Sequence, residues 1–313
     1  MKSITVLVLT YNQEDVISRC LDSILSQKDY GLKSIVISDD CSSDCTWSII
    51  LDYANRYPSI IRPYRNEHNL GIYPNTMSLL SLRGNADLYY ETAGDDALCE
   101  GWFKAVQEFI IQQHVDFSRP MGIYCDWKDV NSSGKVTCIS QRAAESGLPL
   151  FSLCIRGKIC SRSLLVNNDV INKYGPLVEG QGLNLEESAY DIMPHQIIER
   201  AYYLPYVGSV YYSGCGISVD LDKPLSSYHK EENLIKWQYF FDHYIDNEQD
   251  RYYALYGIEF SRFAIKPSLS SFVKAMHFYY KSRIKQMNYS SRDYWMSIAP
   301  FLGVIRRKIV RNK

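Results

Sequence analysis

Residues 4–12 read Ile4-Thr5-Val6-Leu7-Val8-Leu9-Thr10-Tyr11-Asn12, a nearly all-apolar run that ends abruptly on three hydrogen-bonding side chains. A short β-branched run without polar alternation is the pattern of a strand buried on both faces of a parallel sheet. Val16, Ile17, Cys20, Leu21, Ile24 and Leu25 then recur with helical period, with Asn12 as the candidate N-cap. This makes one β-α unit, and others follow. Residues 34–38 read as strand, and a helix carrying Trp47, Ile50, Leu51 and Ala54 ends before Pro58. Residues 60–64 and 75–82 form a third pair, and residues 88–92 and 100–113 a fourth. Such alternation argues for an open, mostly parallel α/β sheet flanked by helices, in which ligands bind beyond the carboxyl ends of the strands.

The pattern changes after Met121. Residues 122–126 and 136–139 read as strands around an Asn-Ser-Ser-Gly turn, and residues 202–212 form a hydrophobic segment. From about Glu231 the chain reads as helix rich in Tyr and Phe. The expected division is residues 1–220, made of halves 1–120 and 121–220, followed by a helical extension, 221–313.

Three polar clusters fall at successive strand ends: Leu9-Thr10-Tyr11-Asn12, then Asp39-Asp40-Cys41-Ser42-Ser43-Asp44, then Gly94-Asp95-Asp96. The fold would gather them in one cleft. Tyr11 offers an aromatic face for a planar base, and Asp40 a carboxylate for base N–H or ribose hydroxyl groups. Asp95 and Asp96 repel unless a cation lies between them, which suits Mg²⁺ or Mn²⁺ held by one or two carboxylates and substrate phosphates. Taken singly, each has a plainer reading: Asp39 and Asp44 as helix caps or turn formers, and the Asp95-Asp96 pair as a solvated turn. The series on neighbouring strand ends favours the site.

Thr10-Tyr11-Asn12, the residues from Gln13 to the Ser26-Gln27 helix end, Ile37 to Thr46, Asn69-Leu70-Gly71 with Asn75, and Gly94-Asp95-Asp96 together resemble the N-terminal half of family 2 glycosyltransferases of the GT-A fold, of the bacterial polysaccharide type. The resemblance covers about the first hundred residues. It implies a Rossmann-like central sheet and a nucleoside pocket lined by Thr10, Tyr11, Asn12, Asp39 and Asp40, with Asp39 the more structural. It also puts Asn69 and Gly71 near the diphosphate, beside Asp95, and makes Asp96 the metal ligand. Ala93 departs from the family's Asp-x-Asp-Asp form and leaves fewer carboxylates for the metal. Inverting members use a later carboxylate as general base. The matching region is Leu185 to Asp191, with Glu187 first and Asp191 second; a helix start favoured by the macrodipole is the alternative. The implied activity is inverting transfer of a sugar, from a UDP-sugar, to a glycan or polyprenyl-diphosphate-linked hydroxyl with Mn²⁺ or Mg²⁺. The alternative is a non-catalytic nucleotide- or glycan-binding protein.

Composition narrows the partners. The net charge is −1, yet eleven of the 34 Lys and Arg residues and only one acid, Asp293, lie from Ala264 onward. Residues 301–313 interleave apolar and cationic side chains, as in a helix lying on an anionic membrane surface, or in a terminal helix docked on the protein or a second subunit. Nucleic acid is not expected, because no aromatic-basic platform is recognisable. The N-terminus lacks a signal-peptide pattern and no long uncharged apolar run occurs, so a cytoplasmic protein is expected, with the inner face of the plasma membrane as a location if the tail binds lipid. The odd count of nine cysteines suits reduced thiols, and Cys41 and Cys45 lack the second pair that a zinc site needs. His195 and His229 are given no role.

Overall fold

The computed structural model describes residues 1–173, 193–213, 227–243, 245, 247–283, 298–299, 301–302 and 304. The chain divides into two compact units: Met1–Glu179 with Tyr190–Lys223, and Gly180–Ala189 with Pro224–Lys313.

In the first unit β1 (Ile4–Thr10) is central, with Ile4, Val6, Leu7 and Val8 fully inaccessible to solvent. It pairs in parallel with β2 (Leu32–Asp39) on one side and β4 (Leu88–Ala93) on the other, and β3 (Ile61–Arg65) extends beyond β2. Chain order therefore reverses direction at β1, which makes the β1/β4 border the switch point where such sheets bind ligands. The register fixes what meets there. Thr10 lies opposite Asp39, Leu9 opposite Ala93, and Asp39 opposite Arg65, so the polar clusters emerge at one level.

Helices α1 (Ile17–Leu25), α2 (Thr46–Arg56) and α3 (Ile72–Leu82) make the crossovers. The α1 stripe of Ile17, Cys20, Leu21, Ile24 and Leu25 is buried as its periodicity predicts. Its N-cap is Val16, however, and Asn12 sits in the left-handed region at φ 51° with its side chain turned to the next loop. The expected cap at Asn12 is thus corrected: an Asn tolerates that backbone, and its Oδ1 accepts from Ser43 N at 2.8 Å instead. Helix α3 begins at Ile72, three residues before the expected start, because Pro74 falls in its first turn, where a missing N–H leaves no intrahelical bond unmade.

Beyond β4 the sheet becomes mixed. The strands β5 (Ala97–Leu98), β6 (Met121–Val130), β7 (Val136–Ile139), β8 (Leu164–Asn167) and β9 (Arg200–Tyr212) give the order β3-β2-β1-β4-β8-β6-β9-β5, with β7 on β6. β8 runs antiparallel to β4 and β6, and β9 is parallel to β6. Helix α4 (Trp102–Gln112) packs Trp102, Phe103 and Val106 into the core shared with β1. The β6–β7 turn is tied by Asn131, whose Oδ1 accepts from Ser133 N at 3.1 Å and Lys135 N at 2.9 Å, with Gly134 at φ 77°. Helices α5 (Leu150–Ile155) and α6 (Asn168–Asn172) flank β8.

β9 carries an irregularity with a purpose. Its register against β6 jumps from Leu204 opposite Cys125 to Val207 opposite Asp126, skipping Pro205, which has no N–H to give to a ladder. Gly208 follows, where a Cβ would enter the Trp102 indole. Past this bulge Ser209 and Val210 pair with Leu98 and Ala97, so the far end of β9 returns to the residues just after Asp96.

The second unit holds α7 (Ser227–His243), α8 (Glu248–Ile265) and α9 (Leu269–Lys281), the last two capped by Asn247 and Ser268. Gly257 gives the Trp237 indole its place against α8. Phe263, Ala275, Tyr279 and Tyr256 form its core with Phe301 and Val304. Phe301 is fully buried, its ring 4.8 to 5.0 Å from those of Phe260, Phe263 and Phe272. The first turn of the basic tail therefore packs on protein; residues 305–313 lie outside the described residues. No helix of the described residues is long and apolar enough to cross a membrane.

Candidate active site

The first corner forms where β1 and β2 end. Asp40 N donates to Thr10 O at 2.9 Å, and Thr10 Oγ1 donates to Gln13 Oε1 at 2.8 Å. Asn12 N donates to Ser42 Oγ at 2.9 Å, locking the first loop onto the second. Between these anchored residues Tyr11 is 40% exposed, so its ring is open to a ligand. Asp39 is fully buried and occupied: it accepts from Ser42 N at 3.1 Å and from Ser42 Oγ, and pairs with Arg65 Nε at 3.2 Å. Burial still pushes its carboxyl up, against the Ser42 bonds and the Arg65 charge. Its geometry is that of a turn brace.

Asp40 is also buried, and its carboxylate holds the next loop. Oδ1 accepts from Asn66 Nδ2 at 2.8 Å and Leu70 N at 2.9 Å, and Oδ2 from Gly71 N at 2.9 Å. Gly71 N also lies 3.0 Å from Asn69 Oδ1, and Gly71 adopts φ 87°, a conformation that favours glycine. Behind them Asn75 Oδ1 accepts from Ser38 Oγ at 2.6 Å and Asn66 Nδ2 at 2.9 Å. Sequence reasoning singled out Asp40, Asn69, Gly71 and Asn75 but missed Asn66, which bridges them. A lone Asn after a strand carries no signal of such a role.

The second corner follows β4. Gly94 is required by contact: a Cβ there would strike Gln13 Oε1 and lie 2.8 Å from Ile17 Cδ1. Asp95 is buried, and its carboxyl is pushed up by burial against the opposing Arg19 charge and Gln13. Asp96 is pushed up to about 7, first by burial and then by Asp95, with the Tyr212 amide, Arg162 and Arg19 opposing. Its Oδ1 accepts from Tyr212 N at 3.2 Å, the contact that the bulge of β9 delivers. Arg19 reaches over from α1 to donate to Asp95 O at 2.5 Å, and its guanidinium lies 3.7 Å from the Tyr212 ring centre. Exposed Arg162 lies 3.8 Å from the Tyr211 ring centre and 5.0 Å from that of Trp127. Neither arginine was singled out from sequence. Both also lie over tyrosine rings of β9, a strand far along the chain.

These two carboxylates fit a divalent cation in kind. They are hard oxygen donors, adjacent, and short of positive charge as they stand, and Mg²⁺-type ions ordinarily take one or two protein carboxylates. Among the described residues no group of three or more His, Cys, Asp or Glu side chains is placed to hold a metal by protein alone. Glu187 and Asp191 lie outside the described residues. His195 is buried, hydrogen-bonded through Nδ1 to Tyr124 Oη at 2.7 Å, with its pKa lowered to about 3 by burial, so it is a neutral core residue.

A mixed sheet with this switch point matches solved glycosyltransferases of the GT-A fold. Staphylococcus aureus TarS 1-349 in complex with UDP-GlcNAc superposes with a TM-score of 0.58 over 97% of this chain and 89% of that one, at 16% identity. A Pyrobaculum calidifontis mannosyltransferase solved with GDP-Man and Mn²⁺ gives 0.51 over 100% and 88%, at 15% identity. Residues 5–139 match Glycosyl transferase family 2. Abequosyltransferase RfbV of Salmonella typhimurium is 33% identical over 105 residues, 33% of this chain and 31% of that protein. S. aureus poly(ribitol-phosphate) beta-N-acetylglucosaminyltransferase TarS is 27% identical over 176 residues, 54% and 29%. The chain thus spans under a third of the length of these curated relatives.

Proposed function

We propose that the protein is a glycosyltransferase that moves a sugar from a nucleotide-sugar, a UDP-sugar, to a hydroxyl of a glycan or polyprenyl-diphosphate-linked acceptor in cell-surface polysaccharide synthesis. The observation that carries this reading is the convergence of Tyr11, Asp40 and Asp95-Asp96 at the ends of three adjoining strands at the switch point. The family match and the named sugar transferases among the relatives support it.

Tyr11 stacks on the base, and Asp40 accepts from its polar edge while holding the Asn69–Gly71 loop. Thr10 and Asn12 set the pocket floor and Asp39 braces it from behind. Asp96, with Asp95 beside it, holds Mn²⁺ or Mg²⁺, which when bound offsets charge developing on the leaving diphosphate. Arg162, pre-oriented on Tyr211, adds positive charge at the same corner and lessens the need for the carboxylate that Ala93 lacks. Reaction with inversion needs a base that reaches the acceptor hydroxyl, and Glu187, then Asp191, is assigned this work.

The test is a screen of nucleotide sugars by thermal shift, followed by transfer and donor-hydrolysis assays with Mn²⁺ present, since donor binding stabilises by mass action. A UDP-sugar that both stabilises the protein and is turned over is the expected result. Stabilisation without turnover of any donor would assign a nucleotide-binding protein instead, and no response to any nucleotide would remove the reading.

A further inference from the structure

Helix α9 is apolar on two sides. Its inner side, Ala275 and Tyr279 with Phe272, enters the core of the second unit. On the outer side of a surface helix polar residues are the rule. Here Leu269, Val273 and Tyr280 stand 78%, 56% and 73% exposed. Their spacing, i, i+4 and i+11, puts them on one face. Exposed Lys266 precedes the helix, and exposed Lys274 and Lys281 lie beside this face on the side away from the core, Lys281 Nζ being 5.0 Å from the Tyr252 ring centre; no Asp or Glu occurs from Ala264 to Arg283.

We infer that this face of α9 is a docking surface for an anionic lipid bilayer. The charge pattern selects the occupant. A second copy meeting the face through a two-fold axis would set lysines against lysines, since such an interface pairs a patch with itself. An anionic bilayer meets both features: lysines stay at headgroup level while Leu269 and Val273 enter the acyl boundary, and Tyr280 suits the interface where one end of the ring is wet. Phe301 and Val304 are committed to the protein core and so are not available to a bilayer, whereas this face of α9 is open. The inference does not depend on sugar transfer.

The experiment is co-sedimentation of the full-length protein with phosphatidylcholine vesicles, with and without phosphatidylglycerol, compared among three proteins: wild type, Leu269→Ser/Val273→Ser/Tyr280→Ser, and Lys266→Glu/Lys274→Glu/Lys281→Glu. Wild type is expected to bind only the anionic vesicles. The serine variant should bind at least about tenfold more weakly, and the glutamate variant should lose roughly fivefold per lysine. All three positions of each set are exposed, so unchanged thermal melts are expected, and single substitutions replace any triple variant that melts early. Equal binding by wild type and variants overturns the inference. So does binding that ignores phosphatidylglycerol, or a dimer in light scattering that the serine variant dissolves.

Discussion

The two corners of the cleft are built on opposite principles. At the first, Asp40 is met by three N–H donors and Asp39 by Ser42 and Arg65, so the negative charge is answered from within. At the second, Asp95 and Asp96 adjoin, both with raised pKa, and arginines stacked on Tyr212 and Tyr211 answer them in part. One corner is finished before a ligand arrives. The other, under the proposed function, would be completed by a cation.

The largest expected effect tests the second corner. Asp96→Ala should lower transfer by about 10³-fold with no loss of thermal stability, because it removes a carboxyl that burial disfavours. Wild-type turnover with Mn²⁺ supplied would sink the metal assignment. A drop in melting temperature would show that the corners are built alike. Asp40→Asn should do the reverse at the first corner: an amide has one acceptor oxygen, so Leu70 or Gly71 loses its partner, at a cost of about 1–3 kcal/mol in denaturant unfolding.

A pH profile sharpens the contrast. His195, buried with a folded pKa of about 3 against 6.5, stays neutral in the folded state while the unfolded chain takes a proton. The stability it permits is present above pH 6.5 and is lost as pH falls toward 3, by up to about 1.4 kcal/mol per unit. Asp96 acts in the opposite sense: its folded form keeps the proton up to about pH 7 against 3.8 unfolded, so stability declines as pH rises through that window. His195→Gln should flatten the acid-side fall, and Asp96→Asn the decline toward neutrality, in melts across pH. Smallest of all, Tyr11→Ala should weaken UDP binding about tenfold by calorimetry and move unfolding by less than about 0.5 kcal/mol, since its exposed ring supports ligand and not fold.

The first corner was largely legible because its main parts follow β1 and β2, each announced by an apolar run ending in polar residues. Reading went wrong at Asn12, where a helix cap was expected and a loop-to-loop bond is found. The second corner was legible only as Asp95-Asp96. Arg19 is a half-buried helix position with no pattern of its own, and Tyr212 reaches Asp96, with Arg162 over the neighbouring Tyr211 ring, where β9 bends back past Pro205 and Gly208. That is a tertiary event which no local pattern encodes. The outer face of α9 was hidden in a different way: Leu269, Val273 and Tyr280 scan as core until the side facing inward is known.

Asp40 closes a loop of three residues by its own charge, and amide exchange would read that directly. The N–H groups of Leu70 and Gly71, in a loop at the sheet's edge where exchange is ordinarily fast, are held by a buried carboxylate. They should exchange slowly in the free protein, and their protection would follow the Asp40 carboxylate as a nucleotide takes up its remaining lone pair. Two amide signals would thus track the filling of the cleft without a label on the ligand.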